Sequence, residues 1–178
     1  MKEQTLATRT AFKGRLLQLD VVTIGMGGAR YTREIVRHAG ATAVLAQLPD
    51  GRFVLVEQYR KAVEQEMLEI VAGVLKRGER PDRCARRELK EETGYTATAL
   101  RKLGVMFPSP GYGAEALHLF YARLNPRPGR RSLDDDERVR VRCLDAGQIE
   151  SLMKRGRIRD GKTLAAWTLY QLKILRGK

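Results

Sequence analysis

Pro81 and Gly94 bracket the stretch DRCARRELKEET, and together they fix the register of its acids. A proline at the first position of a helix gives up an N–H that has no partner there. A glycine just past the end adopts the left-handed conformation that other residues resist. The stretch is therefore predicted as a helix on which Glu88, Glu91 and Glu92, at i, i+3 and i+4, project from one face. Like charges so placed cost about 0.2–0.5 kcal/mol per pair on a free helix. A bound hard cation with oxygen ligands offsets that repulsion, Mg²⁺ above all, with Mn²⁺ or another divalent cation as substitutes. Carboxylates that leave water and substrate phosphate on their ion form the pattern of phosphoryl or pyrophosphoryl chemistry. A solvated charged face would be the plainer reading of an isolated Glu-Glu pair.

Gly73, Glu79, Arg87, Glu88, Leu89, Glu91, Glu92, Gly94 and Tyr95 extend the pattern: a glycine, five residues, a glutamate, seven residues, then Arg-Glu-apolar-x-Glu-Glu-x-Gly-apolar. So many positions at fixed spacing are far more specific than a lone glycine motif. The stretch resembles the Nudix box, and the chain is identified as a member of that superfamily. The resemblance implies an α+β (mixed α/β) fold in which a mixed β-sheet lies between helices. It also implies a divalent-metal-dependent hydrolase acting on a nucleoside diphosphate linked to another moiety.

Composition is consistent with this. The 178 residues, 43% hydrophobic and 31% charged, suit a soluble enzyme with a real core. No apolar run has the length of a membrane span, and Met1 to Thr5 lack the apolar core of a signal peptide, so a cytoplasmic location is expected. Cys84 and Cys143 form no CxxC pair and read as small apolar side chains. The net charge of +13 invites a nucleic-acid partner. Scattered arginines and 6% aromatic residues argue against one, and a positive field equally attracts a small pyrophosphate.

The chain divides into an N-terminal strand unit, residues 1–38, expected to form a dimer, and a hydrolase domain, residues 39–178. Strands are predicted from Gly14 to Val22 and from Ala29 to His38, on either side of Gly25, Gly27 and Gly28. Ala41–Leu48 and Arg52–Tyr59 form a hairpin about Pro49-Asp50-Gly51. The run from Ala116 to Ala122 reads as a strand buried on both faces. Val139, Val141 and Cys143, alternating with arginines, read as one wet on one side. Asp145, with Gln148 three residues on, caps a helix. A last helix runs from about Lys162 to Leu175, with Leu164, Trp167, Leu169, Leu172 and Leu175 as its apolar positions.

Beyond the box, Glu57 to Arg60, Glu69 to Gly73, the Ser109-Pro110-Gly111 turn followed by Glu115, and Gly156 to Leu164 resemble the ADP-ribose pyrophosphatase branch. Pro110 stands sixteen residues past Gly94, the branch's spacing. Val71 departs from it, replacing a proline and so restoring an N–H and a freer φ. The resemblance implies cleavage of ADP-ribose to AMP and ribose 5-phosphate. GDP-mannose or another nucleotide sugar is the alternative, ahead of an RNA-end or dinucleoside-polyphosphate hydrolase or a non-catalytic sensor. Metal ligands are expected at Glu88, Glu92, Glu91 and the Ala72 carbonyl. Gly73, Glu79, Arg87 and Gly94 serve the motif's structure, Arg87 by orienting a carboxylate through its planar fork. The general base is expected in the acidic loop, at Glu137 or else Asp135, and Arg60, Glu69, Glu115 and Pro110 are expected near substrate. A homodimer is implied, with Phe12, Arg30 or Tyr31 as open choices against the base. His38 and His118 are read as structural.

Overall fold

The computed structural model describes residues 2–133 and 138–175, and these fall into two compact units. The first comprises residues 2–40 of the described chain together with residues 107–116. Its frame is an antiparallel sheet of β1 (Gln4–Lys13), β2 (Leu17–Met26) and β3 (Ala29–His38), with β2 in the middle. Gly27 and Gly28, at φ of 59° and 82°, make the turn between β2 and β3. The first strand was not anticipated: Gln4 to Lys13 alternates too little apolar character to announce itself, and every residue of it is exposed. Val22 and Ile24 are buried on the central strand. The segment 107–116 joins this unit through Val36, whose N–H donates to the Tyr112 carbonyl and whose carbonyl accepts from Ala114 N–H.

The second unit comprises residues 41–106 and 117–175 of the described chain. Its strands are β4 (Ala41–Gln47), β5 (Phe53–Arg60), β6 (Gln65–Glu69), β7 (Val71–Val74), β8 (Ala97–Met106), β9 (Leu117–Leu124) and β10 (Val139–Leu144). They form one mixed sheet in the order β10-β5-β4-β9-β8, with β6 on β5 and β7 on β4. The β4–β5 hairpin turns at Gly51, φ 91°, but the two strands pair only at Ala46–Val54 and Gln47–Phe53 before diverging. Beyond that point β4 pairs antiparallel with β7 on one side and parallel with β9 on the other. Such a strand is enclosed everywhere, and Ala41 to Ala46 are all buried.

Each face of the sheet has its own core. On one, Leu45, Phe53, Leu119 and Tyr121 pack with Ile149 of α2 (Ala146–Lys154) and with Ala166, Trp167 and Tyr170 of α3 (Gly161–Tyr170). Phe53 meets Trp167 and Tyr170 edge-on at 5.1 and 5.4 Å, the favoured arrangement of ring quadrupoles. On the other, Val44, Val54, Val71 and Phe120 pack with Ala85 and Leu89 of α1 (Pro81–Thr93). The result is a mixed sheet between helices.

Helix α1 has Pro81 in its first turn and ends at Gly94 in the left-handed region, φ 77°, where the glycine N–H bonds the Lys90 carbonyl. A side chain at Gly94 would also meet the Gly129 carbonyl oxygen at 2.3 Å, so strain and a backbone clash both enforce glycine. Helix α2 closes a full capping box between Asp145 and Gln148. The last helix departs from expectation. It starts earlier, capped by Asp160 on the Thr163 N–H, and beyond Tyr170 passes into a π-helical turn over Gln171–Leu175. Leu164, Leu172 and Leu175 are exposed, because the face turned to the sheet is set by Thr163, Ala166, Trp167 and Tyr170 at i, i+3, i+4 and i+7. Among the described residues no helix is long and apolar enough to cross a membrane.

Candidate active site

Helix α1 buries Cys84, Ala85, Leu89, Glu92 and Thr93. An acid within that stripe is unusual, and Glu92 is only 4% exposed. Glu88, four residues earlier, has a side chain 14% exposed, and Glu91 one 36% exposed. All three carboxylates therefore stand on or beside the edge where the helix meets the sheet.

Arg87 organises this edge. Its Nε and Nη2 donate to the two oxygens of Glu79 at 2.9 and 2.8 Å, a fork-to-fork pair. Its Nη1 donates to Glu88 at 2.5 Å and to Glu91 at 2.9 Å. The guanidinium also reaches the Val74 carbonyl at 3.3 Å, tying α1 to the strand before it. The Arg87 pKa is raised by Glu79 first, against the cost of burial, and then by Glu88 and Glu91. Hydrogen bonds from Arg87 hold Glu79 down at about 2, from an ordinary 4.5, with burial pulling the other way and the Lys76 N–H adding to the effect. Cys84 lies beneath the guanidinium at 3.3 Å and accepts from Thr42 Oγ1, and burial pushes its thiol up to about 11. It is a packed side chain with a polar neighbour, not a nucleophile.

Gly73 lies directly against Glu88. A Cβ there would fall 1.9 Å from the Glu88 carboxyl carbon, so the strand carrying Ala72 and Gly73 passes the helix at a distance only glycine permits. This is a cradle built around a carboxylate. The donor set is hard oxygen throughout, carboxylates with a backbone carbonyl at hand, and it fits a hard divalent cation. Among the described residues no three His, Cys, Asp or Glu side chains are gathered as a ready-made cage, since Glu88 and Glu91 both turn to Arg87.

A second cluster lies on the strands β5 and β6. Arg60 donates both ends of its fork to Glu69, at 2.8 and 2.7 Å, and Lys162 pairs with Glu69 and with Asp160. Glu69 is 1% exposed. Burial pushes its pKa up, but Arg60 and Lys162 outweigh that and leave it below the ordinary value. The Arg60 pKa is raised chiefly by Glu69, against burial, with Glu92 of α1 adding to it. Arg60 and Glu69 were both expected beside substrate, and the structure makes them each other's partner.

Glu115 and Pro110 belong to the first unit. Glu115 lies 3.6 Å from His38 Nδ1, but that nitrogen already accepts from the Gly40 N–H, so the contact is not an ion pair. Burial, then the nearby Lys102, lowers the pKa of His118. Asp135 and Glu137 lie outside the described residues. The sequence reading missed Lys162 and Asp160, although Asp160 three residues before Thr163 is a capping signal that marks their helix start.

Residues 36–167 match the NUDIX domain family. The chain is 39% identical over 175 residues to the ADP-ribose pyrophosphatase of Bacillus subtilis, covering 97% of this chain and 95% of that protein. It is 40% identical over 173 residues to the methanol dehydrogenase activator of Bacillus methanolicus, 96% and 94% of the two chains. The GDP-mannose pyrophosphatase of Shigella flexneri is 35% identical over 155 residues, 82% and 81%. A crystal structure described as an ADP compounds hydrolase shares the fold, with a TM-score of 0.85 at 24% identity, covering 99% of this chain and 96% of that one. This chain belongs to the Nudix family.

Proposed function

We propose that this protein hydrolyses the diphosphate of ADP-ribose, releasing AMP and ribose 5-phosphate. The observation that carries this reading is the end-to-end similarity to an ADP-ribose pyrophosphatase, with the acid helix and its glycine cradle intact. A GDP-mannose-type substrate is the second reading, favoured by the similarity to a GDP-mannose pyrophosphatase.

Glu88, Glu91 and Glu92, with the Ala72 carbonyl, would hold the divalent cation, taken here as Mg²⁺. When bound, the ion neutralises charge on the diphosphate and lowers the pKa of a water. Arg87 holds Glu88 and Glu91 in place through its Nη1, and Glu79 in turn fixes Arg87. Glu137, with Asp135 as the other choice, accepts the proton of the attacking water. The water oxygen bonds to one phosphorus as that phosphorus releases the bridging oxygen, in line. Arg60 stands at the end of β5, where a guanidinium suits a phosphate or ribose oxygen, and Glu69 holds it there. Exposed apolar side chains on the N-terminal sheet, Leu6, Phe12 and Tyr31 among them, support a homodimer through that unit.

A steady-state assay of the purified chain against ADP-ribose, GDP-mannose, diadenosine polyphosphates and capped RNA, with and without Mg²⁺, tests the proposal. Mg²⁺-dependent turnover of ADP-ribose with the highest kcat/KM is expected. A clear preference for GDP-mannose moves the assignment to the second reading. Glu137→Gln should lower kcat by about 10²–10⁴, the usual worth of a positioned base. A near-normal rate moves the base to Asp135 or Glu115.

A further inference from the structure

We infer that Thr163, at the start of α3, is a positioning residue for the divalent cation, acting through the backbone of Ala72 and Gly73; this presupposes that the α1 edge holds the ion. The chain from Gln65 to Val74 runs on without a loop, yet it changes partner, since β6 pairs with β5 and β7 pairs with β4. The change falls at Ile70, the one residue between the two strands, and Ile70 is wholly buried. A backbone N–H at such a crossing has left one ladder before joining the next, and when buried it needs an acceptor. Thr163 supplies it. The Ile70 N–H donates to Thr163 Oγ1 at 2.9 Å, across 93 positions of sequence.

The hydroxyl is itself held. Its proton goes to Asp160 Oδ2, which leaves its lone pairs for Ile70. Asp160 also accepts from the Thr163 N–H at 3.0 Å and from Lys162 Nζ at 2.9 Å. Thr163 is 1% exposed, on the stripe where α3 otherwise turns Ala166, Trp167 and Tyr170 to the sheet. A hydroxyl buried there is tolerated only with its hydrogen bonds made, so the crossing and not packing alone sets this position. Just past the crossing lies the cradle. Ala72 and Gly73 are the next residues but one in β7, and the fit at Gly73 is close enough that a Cβ would stand 1.9 Å from the Glu88 carboxyl carbon. Val71 imposes no ring restraint on φ, so hydrogen bonds must fix where the Ala72 carbonyl lies. On one side these are the β4 ladder, with Ala43 opposite Ala72 and Thr42 opposite Gly73. On the other side Thr163 holds the chain.

Titration of the full-length chain with manganese(II) chloride in the absence of substrate, the free ion counted by electron paramagnetic resonance, tests this apart from turnover. Thr163→Val, of the same shape without the hydroxyl, should weaken Mn²⁺ binding by about tenfold, the lower end of what partners just outside a metal's ligands contribute. Thr163→Ser keeps the hydroxyl and should keep most of the affinity. Asp145→Ala removes the N-cap of α2, which packs on the same face of the sheet as α3, and should lower the melting point while leaving Mn²⁺ affinity unchanged. In Thr163→Val the Mg²⁺ concentration that half-saturates hydrolysis of ADP-ribose should rise by the same factor as the Mn²⁺ dissociation constant. Equal affinity of Thr163→Val and wild type overturns the inference and leaves the cation site standing. So does equal weakening in Thr163→Ser, which keeps the hydroxyl, or in Asp145→Ala, which would trace the effect to lost stability in general. Wild type that binds no Mn²⁺ overturns the reading of the α1 edge, and this inference with it. Should Thr163→Val fail to fold, Thr163→Ala, free of the β-branching that a helix disfavours, replaces it with the same expectation.

Discussion

Two arginine forks anchor the second unit, and they differ in what surrounds them. Arg60 faces one buried glutamate, and Lys162 and Asp160 complete a set in which positive and negative charges match. Arg87 faces three carboxylates, Glu79, Glu88 and Glu91, with Glu92 buried on the same helix. A balanced, buried set is self-sufficient and braces strands β5 and β6 against the start of α3. An unbalanced one at an edge supports the proposed cation site, since like charges on one helix face repel. Charge balance thus separates the brace from the binding site more clearly than acidity does.

The comparison can be broken at its strongest point with Glu92→Gln. It should lower kcat by about 10³, comparable to losing one preorganised electrostatic contact with the transition state, with the fold preserved. Retained turnover would sink the assignment of this edge to the metal. Glu69→Gln should do the reverse at the balanced set. With Arg60 and Lys162 left facing each other across a buried site, stability should fall by about 3 kcal/mol, read from denaturant unfolding at constant m. If Glu69→Gln costs rate without stability, Glu69 serves the substrate and not the brace.

The unbalanced set was legible in the sequence and the balanced one was not, for a physical reason. Glu79, Arg87, Glu88, Glu91 and Glu92 lie within one loop and one helix, where the period of 3.6 residues, Pro81 and Gly94 place side chains without tertiary knowledge. Arg60, Glu69, Asp160 and Lys162 come from three elements, and the contact between Glu69 and Lys162 spans 93 positions. Only the folded sheet brings them together. The same limit explains β8, a long strand with an exposed face that its sequence does not mark, and the final helix, where Trp167 lies in the core as expected but Thr163, Ala166 and Tyr170 join it in place of Leu164, Leu172 and Leu175.

The smallest expected effect sharpens the difference between the two edges through pH. Glu79 is held at about 2 in the folded chain, against an ordinary 4.5 when exposed. A carboxylate whose folded pKa is depressed contributes stability that is whole above its ordinary value and is lost as pH falls toward the folded one. The Glu79–Arg87 pair should therefore hold fully at pH 6 and weaken progressively from about pH 5 toward pH 2. Glu69, whose folded pKa is also lowered, adds a loss in the same direction over a window that begins at the same upper end. Melting curves of wild type, Glu79→Gln and Glu69→Gln across that range separate the two, since each variant should lose the acid-dependent slope that its own carboxylate supplies and keep the other's. Because Glu79 loses its bond to Arg87 first in that variant, Glu88 and Glu91 remain the guanidinium's partners, and the melting point at pH 7 should drop by only a few degrees, as for a partly screened ion pair of about 1 kcal/mol. A drop as large as that of Glu69→Gln would mean that Arg87 braces the fold as firmly as Arg60 does, and the distinction between the two forks would vanish.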